Sequence, residues 1–314
     1  MSFVDSVKKE IFSKNIKERH CKIAFIAGLV RGSGLIYEKD GELGLEIKVS
    51  SEELASYVTE YLKSLFDYEV REVSVAEDRL NKKDKFILNV TGDRLLEILQ
   101  SLDIVTEADG ELAVNLKFYG RLTEKECCLR AFIRGLFVAA GHCTLPSENE
   151  NSSTGYHLEL AFSHYTPALE TSEKLAEFGL MPKIIRRREN FVLYIKSVEE
   201  IKDFLAFLPA PVSVLKITDL IINREISNQS NRQKNCDISN VNKQVEAAAK
   251  QISAIDKIIE TIGLEGLKEE DRKVAVARKD YPEETLTELA ERLGVTKSCL
   301  NHRLRKLVSI ANEL

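Results

Sequence analysis

Ala24-Phe25-Ile26-Ala27-Gly28-Leu29-Val30-Arg31-Gly32-Ser33-Gly34 stands near the start of the chain, and Ala131-Phe132-Ile133-Arg134-Gly135-Leu136-Phe137-Val138-Ala139-Ala140-Gly141 echoes it about one hundred residues later. Both copies read AFI-x-GL with a glycine five residues further on. An internal repeat governs the reading of a fold, and the segments downstream of the two copies are also parallel. After the first come an alternating run at 43–49, a helical pattern at 52–65, strand-like runs at 70–75 and 85–90, and a helix at 93–102. After the second come a strand at 156–162, a helix at 167–178, strands at 183–187 and 191–195, and a helix at 198–207. Periodicity therefore gives each half as helix–strand–helix–strand–strand–helix, with a further strand hidden around Leu35–Tyr37 in the first half. The two halves, about 1–105 and 119–210, form one pseudo-symmetric α+β domain over 1–222. Its sheets bury one face on helices and leave the other free, and a free sheet face in a two-fold arrangement makes a saddle suited to a rod-like partner.

The composition is that of a core-forming chain. Of 314 residues, 44% are hydrophobic and 30% charged, which argues against disorder throughout. No run approaches about 18 consecutive apolar residues, so no spanning helix and no membrane partner are expected. The charged start, MSFVDSVKKEIFSKNIKERH, lacks the apolar core of a signal peptide, so a cytoplasmic location is expected. The net charge of −5 excludes a uniformly basic nucleic-acid coat but leaves local phosphate binding open.

Residues 223–242, NREISNQSNRQKNCDISNVN, are poor in apolar side chains and read as a linker. Helical periodicity resumes at 241–262, Gly263 and Gly266 end it, and 243–314 form an all-α domain with a helix-turn-helix at 285–308. There Thr285 is placed to N-cap a helix, with Glu288 as its capping-box partner. Gly294 permits a tight turn, Val295 plugs the junction, and Thr296 caps a second helix whose inner face is Cys299, Leu300, Leu304 and Leu307. No acid occurs between Arg292 and Asn312, so this second helix is basic. Thr296, Lys297, Ser298, Asn301 and His302 are candidates for base edges, and Arg303, Arg305 and Lys306 for phosphates. On that reading Arg303→Ala weakens binding to every sequence and Asn301→Ala relaxes base choice.

The AFI-x-GL copies resemble the LAGLIDADG homing endonucleases, whose two motif helices pack side by side through small residues. Gly28, Gly32, Gly135, Ala139 and Gly141 would permit the same approach. In those enzymes each motif ends in an acid that holds a divalent metal; the matching positions here are Ser33 and Ala140, with Arg31 and Val138 where a second acid often stands. Hard divalent ions need carboxylate oxygens, so no catalytic residues and no strand cleavage are expected.

Lys183, Arg186, Arg187 and Arg188 form the densest basic cluster outside the tail. It reads either as a secondary DNA contact or as an edge strand guarded by charge. The first half offers acids instead, Glu42, Glu46, Glu72, Glu77 and Asp78. Six cysteines occur without a CxxC pair and read as reduced thiols, with Cys127 and Cys128 as packing residues. His142, Cys143, His157 and His164 match no zinc spacing, and no phosphate-cradling glycine loop is present. No metal and no cofactor are expected.

Over nearly its whole length the chain resembles the WhiA family of bacterial regulators. The match is carried by Asn231-Arg232-x-x-Asn235-Cys236-Asp237-x-x-Asn240-x-x-Lys243, by Tyr119-Gly120 with Cys127-Cys128 and Arg130–Gly135, by Tyr156-His157-Leu158-Glu159, and by Lys297-Ser298 with Asn301–Leu307. The resemblance implies a pseudo-two-fold LAGLIDADG homing-endonuclease-like domain followed by a helix-turn-helix domain. It also implies a non-enzymatic transcriptional regulator that binds double-stranded DNA, together with other regulators, in cell division, chromosome segregation and sporulation. Two other readings stand beside it: a protein–protein adaptor using the saddle, and a residual endonuclease using other acids such as Glu38 or Glu159.

Overall fold

The computed structural model describes residues 2–70, 72–78, 83–108, 111–146 and 155–314. It divides into two units, Met1–Ile221 and Ile222–Leu314.

The first unit opens on α1 (Phe3–Ser13), started by a capping box in which Ser2 Oγ accepts from the Asp5 amide and Asp5 accepts from the Ser2 amide. Next come α2 (Arg19–Ser33), β1 (Gly34–Lys39), β2 (Glu42–Val49), α3 (Glu52–Phe66), β3 (Glu72–Asp78), β4 (Lys83–Thr91), α4 (Leu95–Ser101), and the small hairpin β5 (Val105–Ala108) and β6 (Glu111–Val114). The second half runs α5 (Glu126–Ala140), β7 (Gly141–Thr144), β8 (His157–Phe162), α6 (Tyr165–Ala176), β9 (Lys183–Arg187), β10 (Asn190–Ile195) and α7 (Val198–Phe207). The sheets have matching antiparallel orders, β1-β2-β4-β3 and β7-β8-β10-β9. Each half is thus helix–strand–strand–helix–strand–strand–helix. The additional strand comes directly after the motif helix in both copies, not in the first alone, where Leu35–Tyr37 points to it. The β1–β2 turn is Asp40-Gly41, both at positive φ (55° and 81°), the two-residue geometry that matches strand twist.

The motif helices α2 and α5 are the centre of this unit. Ala24, Phe25, Ile26, Ala27, Leu29, Ile133 and Phe137 are fully buried, and both helices supply the core that the sheets cover. Leu45, Ile47 and Val49 of β2, and Leu158, Leu160 and Phe162 of β8, turn inward, while Glu46, Lys48, Glu159 and Ala161 alternate to the other face. At the crossing, a Cβ placed on Gly28 would stand 2.0 Å from the Phe132 carbonyl oxygen, and one on Gly135 would stand 2.0 Å from the Phe25 carbonyl oxygen. Gly32 faces the Ala139 methyl, 2.7 Å from its own would-be Cβ. Gly141 differs from its expected part: its neighbour is Phe137 of its own helix, and it serves where α5 passes into β7.

Residues 223–242 correct the sequence reading in one respect. They lie inside α8 (Pro211–Thr261), a continuous 51-residue helix. The segment is exposed and adds nothing to a core, as expected of a connector, but no Gly or Pro interrupts it, so the backbone stays helical. Past Gly263, at φ 72°, the second unit continues with α9 (Glu269–Asp280), α10 (Leu286–Arg292) and α11 (Lys297–Glu313).

Candidate nucleic-acid interface

In the second unit, Ile255 and Ile258 of α8, Val274 and Ala275 of α9, Leu289 and Ala290 of α10, and Leu300, Leu304 and Leu307 of α11 form one small core. Thr285 caps α10 in a full capping box: its Oγ accepts from the Glu288 amide at 3.3 Å, and Glu288 accepts from the Thr285 amide at 2.8 Å. Gly294 adopts φ 65°. Its amide donates to Glu291 O at 3.1 Å, and the next amide, of Val295, donates to Ala290 O at 3.0 Å. That paired closure is a Schellman stop, which needs a left-handed residue that glycine supplies without steric cost. Thr296 then starts α11, its Oγ accepting from the Cys299 amide at 3.2 Å. Cys299 is half-buried on the flank and lies outside this core, which corrects its placement on the inner face.

The loop before α10 is fixed by two arginines. Buried Arg278 donates to Glu284 O at 2.8 Å. Arg292 pairs with the Glu284 carboxylate and lies 3.7 Å from the Tyr281 ring centre.

The anticipated contact residues fall into two groups. Thr296, Lys297, Ser298, His302 and Arg305 are exposed, with Asn301 half-buried beside them. Residues 298, 301, 302 and 305 share one helix face by their spacing. Arg303 and Lys306 point elsewhere, towards the first turn of α9. Arg303 pairs with Glu270 and donates to Asp271 Oδ1 at 3.2 Å, and Lys306 donates to Asp271 Oδ2 at 2.5 Å. The sequence shows no acid near these cations because Glu270 and Asp271 lie more than thirty residues upstream and arrive by tertiary packing.

Asp271 is 2% exposed. Burial pushes its carboxyl up, but the bonds and charges of Lys306 and then Arg303 overcome this and hold it below its ordinary value of 3.8. Its contribution to stability is therefore complete above about pH 4 and is lost as pH falls through the lower folded value. Asp271→Asn is expected to cost this unit about 2 kcal/mol at neutral pH and to flatten its acid limb. Urea midpoints of wild type and variant between neutral and acid pH check this; parallel curves would assign the acid sensitivity elsewhere.

The second basic cluster is also divided. Arg187 donates to both Glu159 oxygens, at 3.0 and 2.7 Å, and His157 shares that carboxylate. Lys183, Arg186 and Arg188 are exposed. In register, Lys183 and Arg187 share the face of Glu159, while Arg186 alternates to the opposite face. The sheet thus turns one cation into an internal pair and splits the others between faces. Of the first-half acids, the side chains of Glu72, Glu77 and Asp78 lie outside the described residues.

At the ends of the motif helices, Ser33 Oγ donates to its own helix at Leu29 O, 3.2 Å away, and Ala140 has no polar atom to offer. Arg31 donates to Asn115 O at 2.9 Å and Asp103 O at 2.7 Å and stacks on Phe118, so a structural cation occupies the place of an acid. Glu159 is engaged as above, and Glu38 is exposed on β1. Among the described residues, His142, Cys143, His157 and His164 do not converge as ligands, whereas His20, Cys21, Cys127 and Cys128 do. Their separation in sequence hides that grouping.

Three stretches match domains of one family: 19–105 the WhiA N-terminal LAGLIDADG-like domain, 129–227 the WhiA LAGLIDADG-like domain, and 230–311 the WhiA C-terminal HTH domain. The probable cell division protein WhiA of Clostridium novyi (strain NT) is 33% identical over 319 residues, covering 100% of this chain and 98% of that protein. Its counterpart in Bacillus cereus (strain AH187) is 34% identical over 318 residues, covering 100% and 97%. The crystal structure of full-length DUF199/WhiA from Thermatoga maritima shares the fold, with a TM-score of 0.59 and 23% identity over 100% of this chain and 99% of that one. A LAGLIDADG-like α+β domain followed by a helical helix-turn-helix domain, with relatives a third identical end to end, makes this chain a member of the WhiA family.

Proposed function

We propose that the chain is a non-enzymatic, sequence-specific DNA-binding protein that regulates transcription in cell division, chromosome segregation and sporulation, working in the cytoplasm at the nucleoid. The observation that carries this is α11: a capped helix after a glycine turn, with Thr296, Lys297, Ser298, His302 and Arg305 exposed. A helix so presented fits a major groove, where its first turns reach base edges and its cations reach phosphates. The names of the relatives supply cell division as the process. Ser33 and Ala140 cannot replace carboxylates as ligands for a hard divalent ion, which supports regulation without strand cleavage. No helix among the described residues is long and apolar enough to cross a membrane.

The test is immunoprecipitation of the full chain with cross-linked chromosomal DNA, then anisotropy titration of the strongest fragments against salt. Two phosphate contacts, from Lys297 and Arg305, correspond to a slope of about −1.8 in log affinity against log salt, roughly 12-fold between 50 and 200 mM. Recovery of no preferred fragment, or binding indifferent to salt, would remove the groove assignment. Cleavage of those fragments with magnesium or manganese would remove the non-enzymatic reading.

A further inference from the structure

The spacing that relates Phe25 to Phe132 and Gly28 to Gly135 also relates His20 to Cys127 and Cys21 to Cys128. His20 and Cys21 are the second and third residues of α2; Cys127 and Cys128 are the second and third of α5. The crossing of the motif helices brings the two pairs together. Their four ligand atoms, one imidazole nitrogen and three sulfurs, lie within 4.8 Å of one another. His20 Nδ1 stands 3.1 Å from Cys128 Sγ and 3.3 Å from Cys21 Sγ.

We propose that His20, Cys21, Cys127 and Cys128 form a tetrahedral site for a zinc-class divalent ion that ties together the first turns of the two motif helices. Three thiolates and one imidazole are a closed structural zinc set, and zinc–sulfur bonds of ~2.3 Å place neighbouring ligand atoms ~3.8 Å apart. The donor pairs, from 3.1 Å to at most 4.8 Å apart, bracket that spacing, so small shifts of the side chains in both senses close them on an ion. Their surroundings suit the charge. Three thiolates and one imidazole around a dication leave one net negative charge, and the four residues lie in the first turns of two helices, whose positive dipole ends favour it. Cys21 and Cys128 are buried and Cys127 is exposed, so the ion has shelter on one side and an entry path on the other. The site is at the opposite end of the helices from Ser33 and Ala140, where the homing endonucleases hold their catalytic metal, so its part is to fix the helix pair.

The full chain, purified with reductant and without chelator, is expected to carry one zinc per chain by elemental analysis. Replacement by cobalt should give the visible bands of a tetrahedral thiolate-bound ion. Cys127→Ser removes an exposed ligand without touching the core. It is expected to weaken zinc binding about a hundredfold, the share of one ligand among four, and to abolish the cobalt bands, with unchanged circular dichroism. Cys236→Ser, exposed on α8 and remote in sequence, should leave both intact. Substoichiometric zinc with no cobalt spectrum in the reduced protein would overturn the site. So would full metal retention by Cys127→Ser, or a Cys21–Cys128 disulfide in protein that takes up no metal after reduction.

Discussion

Gly135→Ala is expected to unfold the first unit or leave it barely folded. The methyl would land 2.0 Å from the Phe25 carbonyl oxygen and 2.8 Å from the Leu29 amide nitrogen, and both obstacles are backbone. A side chain can swing aside; a carbonyl in the middle of a buried helix can move only if the helix moves. Because Phe25 and Leu29 are fully buried in the core that both sheets cover, separating the helices opens the whole core. A cost of about 4 kcal/mol or more is expected, against a total of roughly 5–15 kcal/mol for a domain. Gly28→Ala meets the Phe132 carbonyl in the same way and should behave alike. Gly32→Ala provides the contrast. Its main obstacle is the Ala139 methyl at 2.7 Å, so Ala139→Gly in the same chain should restore much of the loss, whereas no side-chain change can rescue Gly135→Ala. Denaturant titration of the four variants measures this. A Gly135→Ala protein with a wild-type midpoint would mean that the helices do not cross as described.

The repeat makes this crossing readable from the sequence, because small residues at matched positions are needed wherever two helix backbones meet. The C-terminal helices are equally plain: Thr285 with Glu288, Gly294 and Thr296 announce caps and a turn by local chemistry alone. The features that stay hidden depend on distance along the chain. Asp271 neutralises Lys306 and Arg303 from another helix, and the imidazole and thiols of the motif-helix N-termini meet only because α2 and α5 cross. The strand after each motif helix is obscured for a different reason. β7 has four residues, too few to show alternation, and Gly34–Lys39 exposes apolar Leu35. Residues 223–242 look like a linker because this stretch of the helix is exposed on nearly every side and so carries no apolar periodicity.

The hidden carboxylates change what substitution of the basic helix should do. Sequence alone ranks Arg303, Arg305 and Lys306 together. In the folded protein Arg303 and Lys306 already satisfy Glu270 and Asp271, so a phosphate near them would compete with a carboxylate pair. Arg303→Ala is then expected to change DNA affinity little while loosening α11 from α9. Arg305 is exposed on the face of Ser298 and His302. Arg305→Ala should therefore weaken binding to all sequences and reduce the salt slope by about one contact. The combined Ser298→Ala, His302→Ala, Arg305→Ala chain removes both base and phosphate contacts from one face. It is expected to bind its selected fragment about a thousandfold more weakly, near the level of non-specific DNA. All three side chains are exposed, so the urea midpoint should stay at the wild-type value, which separates lost recognition from lost folding. The groove would instead face α9 if Arg303→Ala proved as damaging as the triple change at equal stability, because only a duplex that displaces Glu270 and Asp271 could draw on Arg303.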